Sequence, residues 1–416
     1  MTSPPPLDGL RIIDMSSVVM GPFATQILGD LGADVIKVEP HQGDTTRHVT
    51  PMRGGNMGWV FLHANRNKRS IVLDLKDPAG KEALLKLAEG VDAIVTNVRT
   101  RALDRLGLGW DALRERNPRL ILVNLVGYGA GGPYDGRPTY EDLIQGVTAL
   151  PSMLVQAGSE EPHYVPMAMN DRAVGVSSAV ALLAAVIHRE KSGRGQQIEV
   201  PMFETMAQWV LGDHMGGKTF EPPLGPAGYK RTLTKERRPY KTKDGRICSI
   251  IYTDKHWRTF MELIGQGEVF RSDPRFANIG TRTDHAHDLY AYVSEAMQER
   301  TSAEWLEVLL AADIPVTPLH DLDTLMEDEH LMAVGYLPVV DHPTEGKVRQ
   351  VRIPSTWSES QPTIRRQPPG LGEHSVEILR EAGLSEQEIA ALVERGVTSQ
   401  PGYAADEEAT APAGLA

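Results

Sequence analysis

Between residues 11 and 200, short β-branched runs alternate with stretches whose apolar residues recur at helical spacing. The strand-like runs are 11–13, 35–38, 71–75, 93–98 and 120–125, with helical spacing at 24–31 and 79–88 between them. Parallel strands need a crossover long enough to hold a helix. The order therefore predicts an α/β fold, with a Rossmann-like large domain built on a doubly wound, mostly parallel sheet.

Two turns narrow the ligand. After the first strand the chain reads Ser16-Ser17-Val18-Val19-Met20-Gly21-Pro22, which lacks the G-x-G-x-x-G pattern, so NAD is not expected. The stretch Gly127-Tyr128-Gly129-Ala130-Gly131-Gly132-Pro133 has no following Lys-Ser/Thr and is not a nucleoside-triphosphate loop; a mobile loop is expected instead.

A chain of 416 residues exceeds what one hydrophobic core usually serves. Pro, Gly and basic residues at 222–239 mark a linker, giving a first part of the large domain over 1–221 and a smaller α+β domain over 240–325. The chain is then expected to return to the large domain over 326–398. A tail at 399–416, rich in Pro, Ala, Gly and acidic residues, is expected to be disordered.

With 43 basic against 55 acidic residues, the net charge of −12 argues against nucleic acid or an anionic membrane as partner. The single cysteine, Cys248, rules out an internal disulfide and suits a reducing, cytoplasmic setting. The N-terminus, Met1-Thr2-Ser3-Pro4-Pro5-Pro6, does not read as a secretory signal. The longest apolar run, 173–187, is expected to be a buried core helix too short to span a bilayer.

At the start of that helix stands Asp171. An Asp there is ordinarily an N-cap, but a carboxylate beside free backbone N–H groups also suits a nucleophile, and the helix field would then lower its basicity. Two basic clusters suit phosphates: Arg66-Asn67-Lys68-Arg69 leading to Lys76, and the stretch from Asn97 to Arg105, beyond the end of an expected strand.

Several motifs recur together: Leu7-Asp8-Gly9-Leu10-Arg11-Ile12-Ile13-Asp14, Leu31-Gly32-Ala33-Asp34-Val35-Ile36-Lys37-Val38-Glu39, Arg137-Pro138-Thr139-Tyr140-Glu141-Asp142, Ala168-Met169-Asn170-Asp171-Arg172-Ala173 and His188-Arg189-Glu190-Lys191-Ser192-Gly193-Arg194-Gly195-Gln196. With them the chain resembles the family III CoA-transferases, the group of formyl-CoA transferase and carnitine CoA-transferase, whose fold the α-methylacyl-CoA racemases share. The resemblance implies a homodimer of interlocked subunits, coenzyme A as substrate and product thioester, and no metal or redox cofactor. It also implies that CoA moves from an acyl-CoA to a carboxylic acid through an aspartyl-CoA thioester on Asp171, with Tyr140 and Glu141 beside it.

By the same resemblance Leu73, Lys76, Asn97, Val98 and Arg105 occupy CoA-contacting positions. The racemases carry His where this chain has Tyr140, which favours transfer over racemisation, since a phenol with a pKa of about 10 is a poor proton donor and acceptor at neutral pH. A CoA-binding protein without turnover is the other alternative. Two departures count against oxalate and formate as substrates: Val19 stands where formyl-CoA transferase has Gln, and no run of glycines falls between Gly216 and Arg246. Arg47, His48 and Arg172 are candidates to hold the second carboxylate of a dicarboxylate.

Overall fold

The computed structural model describes residues 3–53 and 57–399. The tail expected from residue 399 onward lies, apart from Ser399, outside the described residues. The described chain forms two compact units, one of residues 1–144, 167–206 and 335 onward, the other of 145–166 and 207–334. The second unit thus takes in the 222–239 segment expected to be a linker, together with 145–166.

The first unit is built on six strands, β1 (Arg11–Met15), β2 (Asp34–Glu39), β3 (Lys68–Val72), β4 (Ala93–Thr96), β5 (Ile121–Val126) and β6 (Gln197–Pro201). All pair in parallel, in the order β3-β2-β1-β4-β5-β6, as a doubly wound sheet requires. The register lines up Ile12, Val35, Ala93 and Ile121 on one face and Ile13, Ile36, Ile94 and Leu122 on the other. Each set lies in its own buried apolar cluster, which is why these strands read as continuous hydrophobic runs rather than alternating ones.

Before β5 lie five helices: α1 (Met20–Asp30), α2 (Trp59–Ala64), α3 (Pro78–Glu89), α4 (Thr100–Leu106) and α5 (Trp110–Arg116). After it come α6 (Glu141–Val147), α7 (Leu150–Gln156), α8 (Met169–Ser192) and α9 (Met202–His214). α1 begins four residues before its apolar spacing suggests; Pro22 in the first turn is tolerated because the N–H it lacks would have no partner there. β3 begins at Lys68, three residues before the expected 71, because two charged residues are buried in it. Lys68 Nζ lies 2.8 Å from Asp14 Oδ2 on β1, and Arg69 Nη2 lies 2.6 Å from Asp34 Oδ2 on β2.

α8 departs from expectation twice. It is 24 residues long with a mean hydropathy of 1.4 over its most apolar stretch, so by length and composition it could cross a bilayer, although the apolar run alone looked too short. Nor is it buried all round: Val174, Ala179 and Leu182 pack into the core with α1, while Val176, Val180 and Ile187 are 45%, 61% and 58% exposed. α1 and α8 approach closely at Gly175, where an added Cβ would sit 2.8 Å from the Met20 carbonyl oxygen.

The second unit has its own core around Trp257, Phe260, Phe276 and Trp305. Helices Asp254–Leu263, Ala286–Ala296 and Ser302–Ala311 surround a three-stranded antiparallel sheet of Tyr240–Lys241, Arg246–Ser249 and Val316–Pro318. The strand-like segments near 337–340 and 348–353 become a hairpin, Val339–His342 with Gly346–Arg349, in the first unit.

Candidate active site

The start of α8 settles how Asp171 is used locally. The N-cap is Ala168, so Asp171 is the third residue inside the helix and its side chain caps nothing. Glu141, the first residue of α6, does the capping: its Oε1 accepts from Asn170 N at 3.1 Å and its Oε2 from Asp171 N at 2.9 Å. The Asn170 side chain, fully buried, donates to the Glu141 carbonyl oxygen at 3.3 Å. The N-cap reading of Asp171 is therefore corrected, and a second carboxylate has taken the helix N–H groups that would have stabilised the first.

The electrostatic consequence is opposite to that expected from the helix field. Burial, and then the negative charge of Glu141, push the Asp171 carboxyl up to about 6, with only Arg172 acting against them. The result is a carboxylate that is still mostly ionised at neutral pH yet more basic, and so more nucleophilic, than a solvated Asp.

A pocket of about 560 Å³ opens beyond the carboxyl ends of β1, β4, β5 and β6, where the strand order reverses. Ser17 and Val18 line it after β1, Asn97, Val98 and Arg105 after β4, and Arg137 and Tyr140 ahead of α6. Arg99, Arg101, Arg105 and Arg137 give the wall a cationic bias, offset by Asp135 and Glu199. Glu199 is already engaged by Ala130 N at 2.9 Å, and Glu204 by Gly129 N at 2.9 Å. The glycine-rich stretch expected to be a mobile loop is thus tied down at two points, and its Tyr128 packs edge to face at 5.2 Å on Tyr134, the residue that follows the stretch.

The expected site residues fall into three groups. Asn97, Val98, Arg105 and Tyr140 line the pocket; Glu141 and Asp171, bonded to each other, are not among its lining residues and adjoin it through Tyr140, next to Glu141 in the chain. Leu73 and Lys76 do not line it: Leu73 is buried in the core cluster packed under α3, and Lys76 is exposed.

The basic cluster Arg66-Asn67-Lys68-Arg69 is not a phosphate site. Arg66 pairs with Asp30 at 2.8 Å, Lys68 with Asp14, and Arg69 with Asp34, Glu377 and Glu381. Arg47 is also withdrawn from the substrate candidates. It is buried, bonded twice to Glu39 at 2.8 and 2.7 Å and to the Pro369 carbonyl, and it stacks on Phe61 at 3.6 Å. His48 contacts the Gln42 carbonyl oxygen, and Arg172 lies exposed over the Phe23 ring at 4.8 Å. Arg137, stacked on Tyr134 at 4.4 Å, was not expected as a pocket residue, although its place three residues before Tyr140 was the available signal.

Among the described residues, no group of three or more His, Cys, Asp or Glu side chains is placed to hold a metal ion.

Residues 7–375 match the sequence model of CoA-transferase family III. The chain belongs to this family. Its similarity to curated members runs nearly end to end: 32% identity to a formyl-CoA:oxalate CoA-transferase of Rhodopseudomonas palustris, over 97% of this chain and 99% of that one. A probable fatty acyl-CoA transferase of Mycobacterium tuberculosis is 31% identical over 90% and 97% of the two chains. The human succinyl-CoA:glutarate CoA-transferase is 29% identical over 95% and 90%.

Among solved structures, the Mycobacterium tuberculosis protein superposes with a TM-score of 0.76 at 29% identity, covering 90% of this chain and 99% of that one. A CAIB/BAIF family protein from Brucella suis gives 0.76 at 28% identity, covering 91% and 100%. As a family III CoA-transferase, this enzyme has CoA as a substrate.

Proposed function

We propose that this family III CoA-transferase moves CoA from an acyl-CoA donor to a free carboxylic acid, with Asp171 holding first the acyl group and then CoA. An Asp171 oxygen attacks the thioester carbonyl, the C–S bond breaks, and CoA leaves as thiolate, giving a mixed anhydride. The thiolate then attacks the Asp171 carbonyl carbon and expels the donor acid as a carboxylate, leaving an aspartyl-CoA thioester. The acceptor carboxylate runs the same two displacements in reverse, so protons and electrons balance without a redox partner.

The observation that carries this reading is the carboxylate pair at the start of α8. Glu141 occupies the helix N–H groups and adds a like charge, which leaves Asp171 basic enough to attack. Tyr140 and the Arg-lined pocket hold the CoA moiety, and the cationic wall suits its phosphates. Formyl-CoA:oxalate and succinyl-CoA:glutarate transferases among the relatives support a dicarboxylate acceptor, and Arg172, beside the nucleophile, is the cation we assign to its second carboxylate. The exposed Val176, Val180 and Ile187 on α8 support a homodimer, since uncovered apolar residues in a row are costly in water.

Incubation with an acyl-CoA donor should leave a hydroxylamine-sensitive adduct that peptide mapping places on Asp171. Asp171→Ala should stay folded and lose transfer almost completely. An adduct on Glu141, or substantial transfer by folded Asp171→Ala, would overturn the mechanism.

A further inference from the structure

The turn between β1 and α1, which forms one wall of the pocket, is held in a conformation its sequence disfavours. Val18 has φ +72°, in the left-handed region. Of the four non-glycine residues with positive φ among those described, Val18, Asn67, Ala149 and Asp313, it alone is β-branched. A branched Cβ crowds the backbone most there, so the conformation persists only where surrounding bonds impose it.

Those bonds come from two directions. Asn97 clamps the preceding residue with both ends of its carboxamide: Ser17 N donates to Asn97 Oδ1 at 3.1 Å, and Asn97 Nδ2 donates to the Ser17 carbonyl oxygen at 2.9 Å. From the other side, Val18 N donates to Asp44 Oδ1 at 3.3 Å. Lys37, buried with Asp44, donates from Nζ to Asp44 Oδ2 and to the Ser16 carbonyl oxygen, both at 2.9 Å. Asp14 accepts from Ser16 N at 2.9 Å. Nothing caps the following helix: Val19, its N-cap, makes no side-chain bond.

We infer that Asn97 is a positioning residue, whose carboxamide holds the Ser17–Val18 turn in the shape that forms the CoA pocket, rather than a group that binds CoA itself. This goes beyond the contact that family resemblance implies for this position, and it rests on the assignment of the pocket to CoA. Two consequences separate a clamp from a ligand. Removing a clamp hurts because Val18 then leaves φ +72°, so replacing Val18 with glycine, which takes that φ freely, should offset the loss. Removing a ligand hurts through a contact that Val18 does not control, so the two substitutions should act independently.

The experiment is a double-substitution cycle read by calorimetric titration of the full-length enzyme with CoA. Asn97→Ala should weaken binding about tenfold when Val18 is present but less than about threefold when it is introduced into Val18→Gly, whatever Val18→Gly does alone, because two bonds of ordinary strength are at stake. If Asn97→Ala does not fold, Asn97→Asp, which keeps the acceptor for Ser17 N–H and loses the donor, enters the same cycle. Arg105→Ala in parallel reports on the pocket assignment alone. An Asn97→Ala cost as large in the Val18→Gly background as with Val18 present, with Arg105→Ala also weakened, overturns the clamp and leaves the pocket standing. An Asn97 variant with wild-type affinity overturns the clamp as well. Unchanged affinity in Arg105→Ala overturns the pocket assignment and the inference that depends on it.

Discussion

Asp171 carries an electrostatic cost that can be measured apart from its chemistry. Its folded pKa, about 6, lies above the unfolded value of 3.8, so folding favours the neutral acid. That contribution is fully present below the unfolded pKa and is lost as pH rises through about 6. A shift of that size caps the effect at about 3 kcal/mol, which contact with water reduces to about 1 to 2 kcal/mol. Asp171→Asn, which cannot ionise, should therefore be more stable than wild type at pH 7.5 by about that amount and nearly equal to it at pH 4. Urea midpoints at the two pH values check this; a variant less stable at pH 7.5 would mean that Asp171 supports the helix after all. In wild-type enzyme the same group should make kcat/KM rise with pH, reaching about a tenth of its plateau at pH 5. At this scale the sequence singled out Glu141 and Asp171, which the structure brings into contact, but the roles of Arg47 and Arg66 were not legible. Arg47 pairs with Glu39 and Arg66 with Asp30 across separate elements that only the folded chain brings together, and a charge seen without its partner looks like a binding site.

Elements were legible where periodicity ruled and shifted where buried charge did. β1, β2, β4 and β5 were found within two residues at each end, whereas β3 was displaced because a sequence window sees Lys68 and Arg69 as surface residues. Burial alone would raise the Asp14 carboxyl, but Lys68 and Lys37 hold it well below the usual carboxylate range, while burial takes Lys68 down to about 8. Asp14→Asn should cost about 3 to 5 kcal/mol, because it strands a buried ammonium, and adding Lys68→Met should recover a large part. Chemical denaturation of the three proteins decides. Similar losses in the single and double variants would mean that Asp14 acts through Ser16 and Thr25 rather than through Lys68.

For the whole molecule, strand order fixes where the pocket opens. The alternating pattern predicted a doubly wound sheet, and the reversal of strand order between β1 and β4 puts the pocket at the carboxyl ends of the strands. The unit boundaries were less visible: no composition shift marks 145–166 or 207–221, and the shift at 222–239 lies inside the second unit rather than between the two. Tyr140, 71% exposed on the pocket wall, occupies the position that, by resemblance, is His in the racemases. Incubating a 2-methylacyl-CoA with enzyme in deuterium oxide should therefore give no appreciable label at C2 by mass spectrometry, and rapid uptake without an acceptor acid would establish racemisation instead.

α8 joins two properties on one rod. Val176, the first of its uncovered apolar residues, is about one and a half turns from Asp171, and the helix continues unbroken past Val180 to Ile187. A helix moves as a body over such a distance, so a second subunit seated on that flank, as we propose, would also steady the bonds between Glu141 and the first turn. Dilution should then act as an inhibitor: turnover per subunit should fall at enzyme concentrations where light scattering shows subunits separating, and should return on reconcentration. Turnover that stays constant across that transition would detach the flank from the chemistry. Where it falls, the amount of this enzyme present sets its specific activity as well as its total activity.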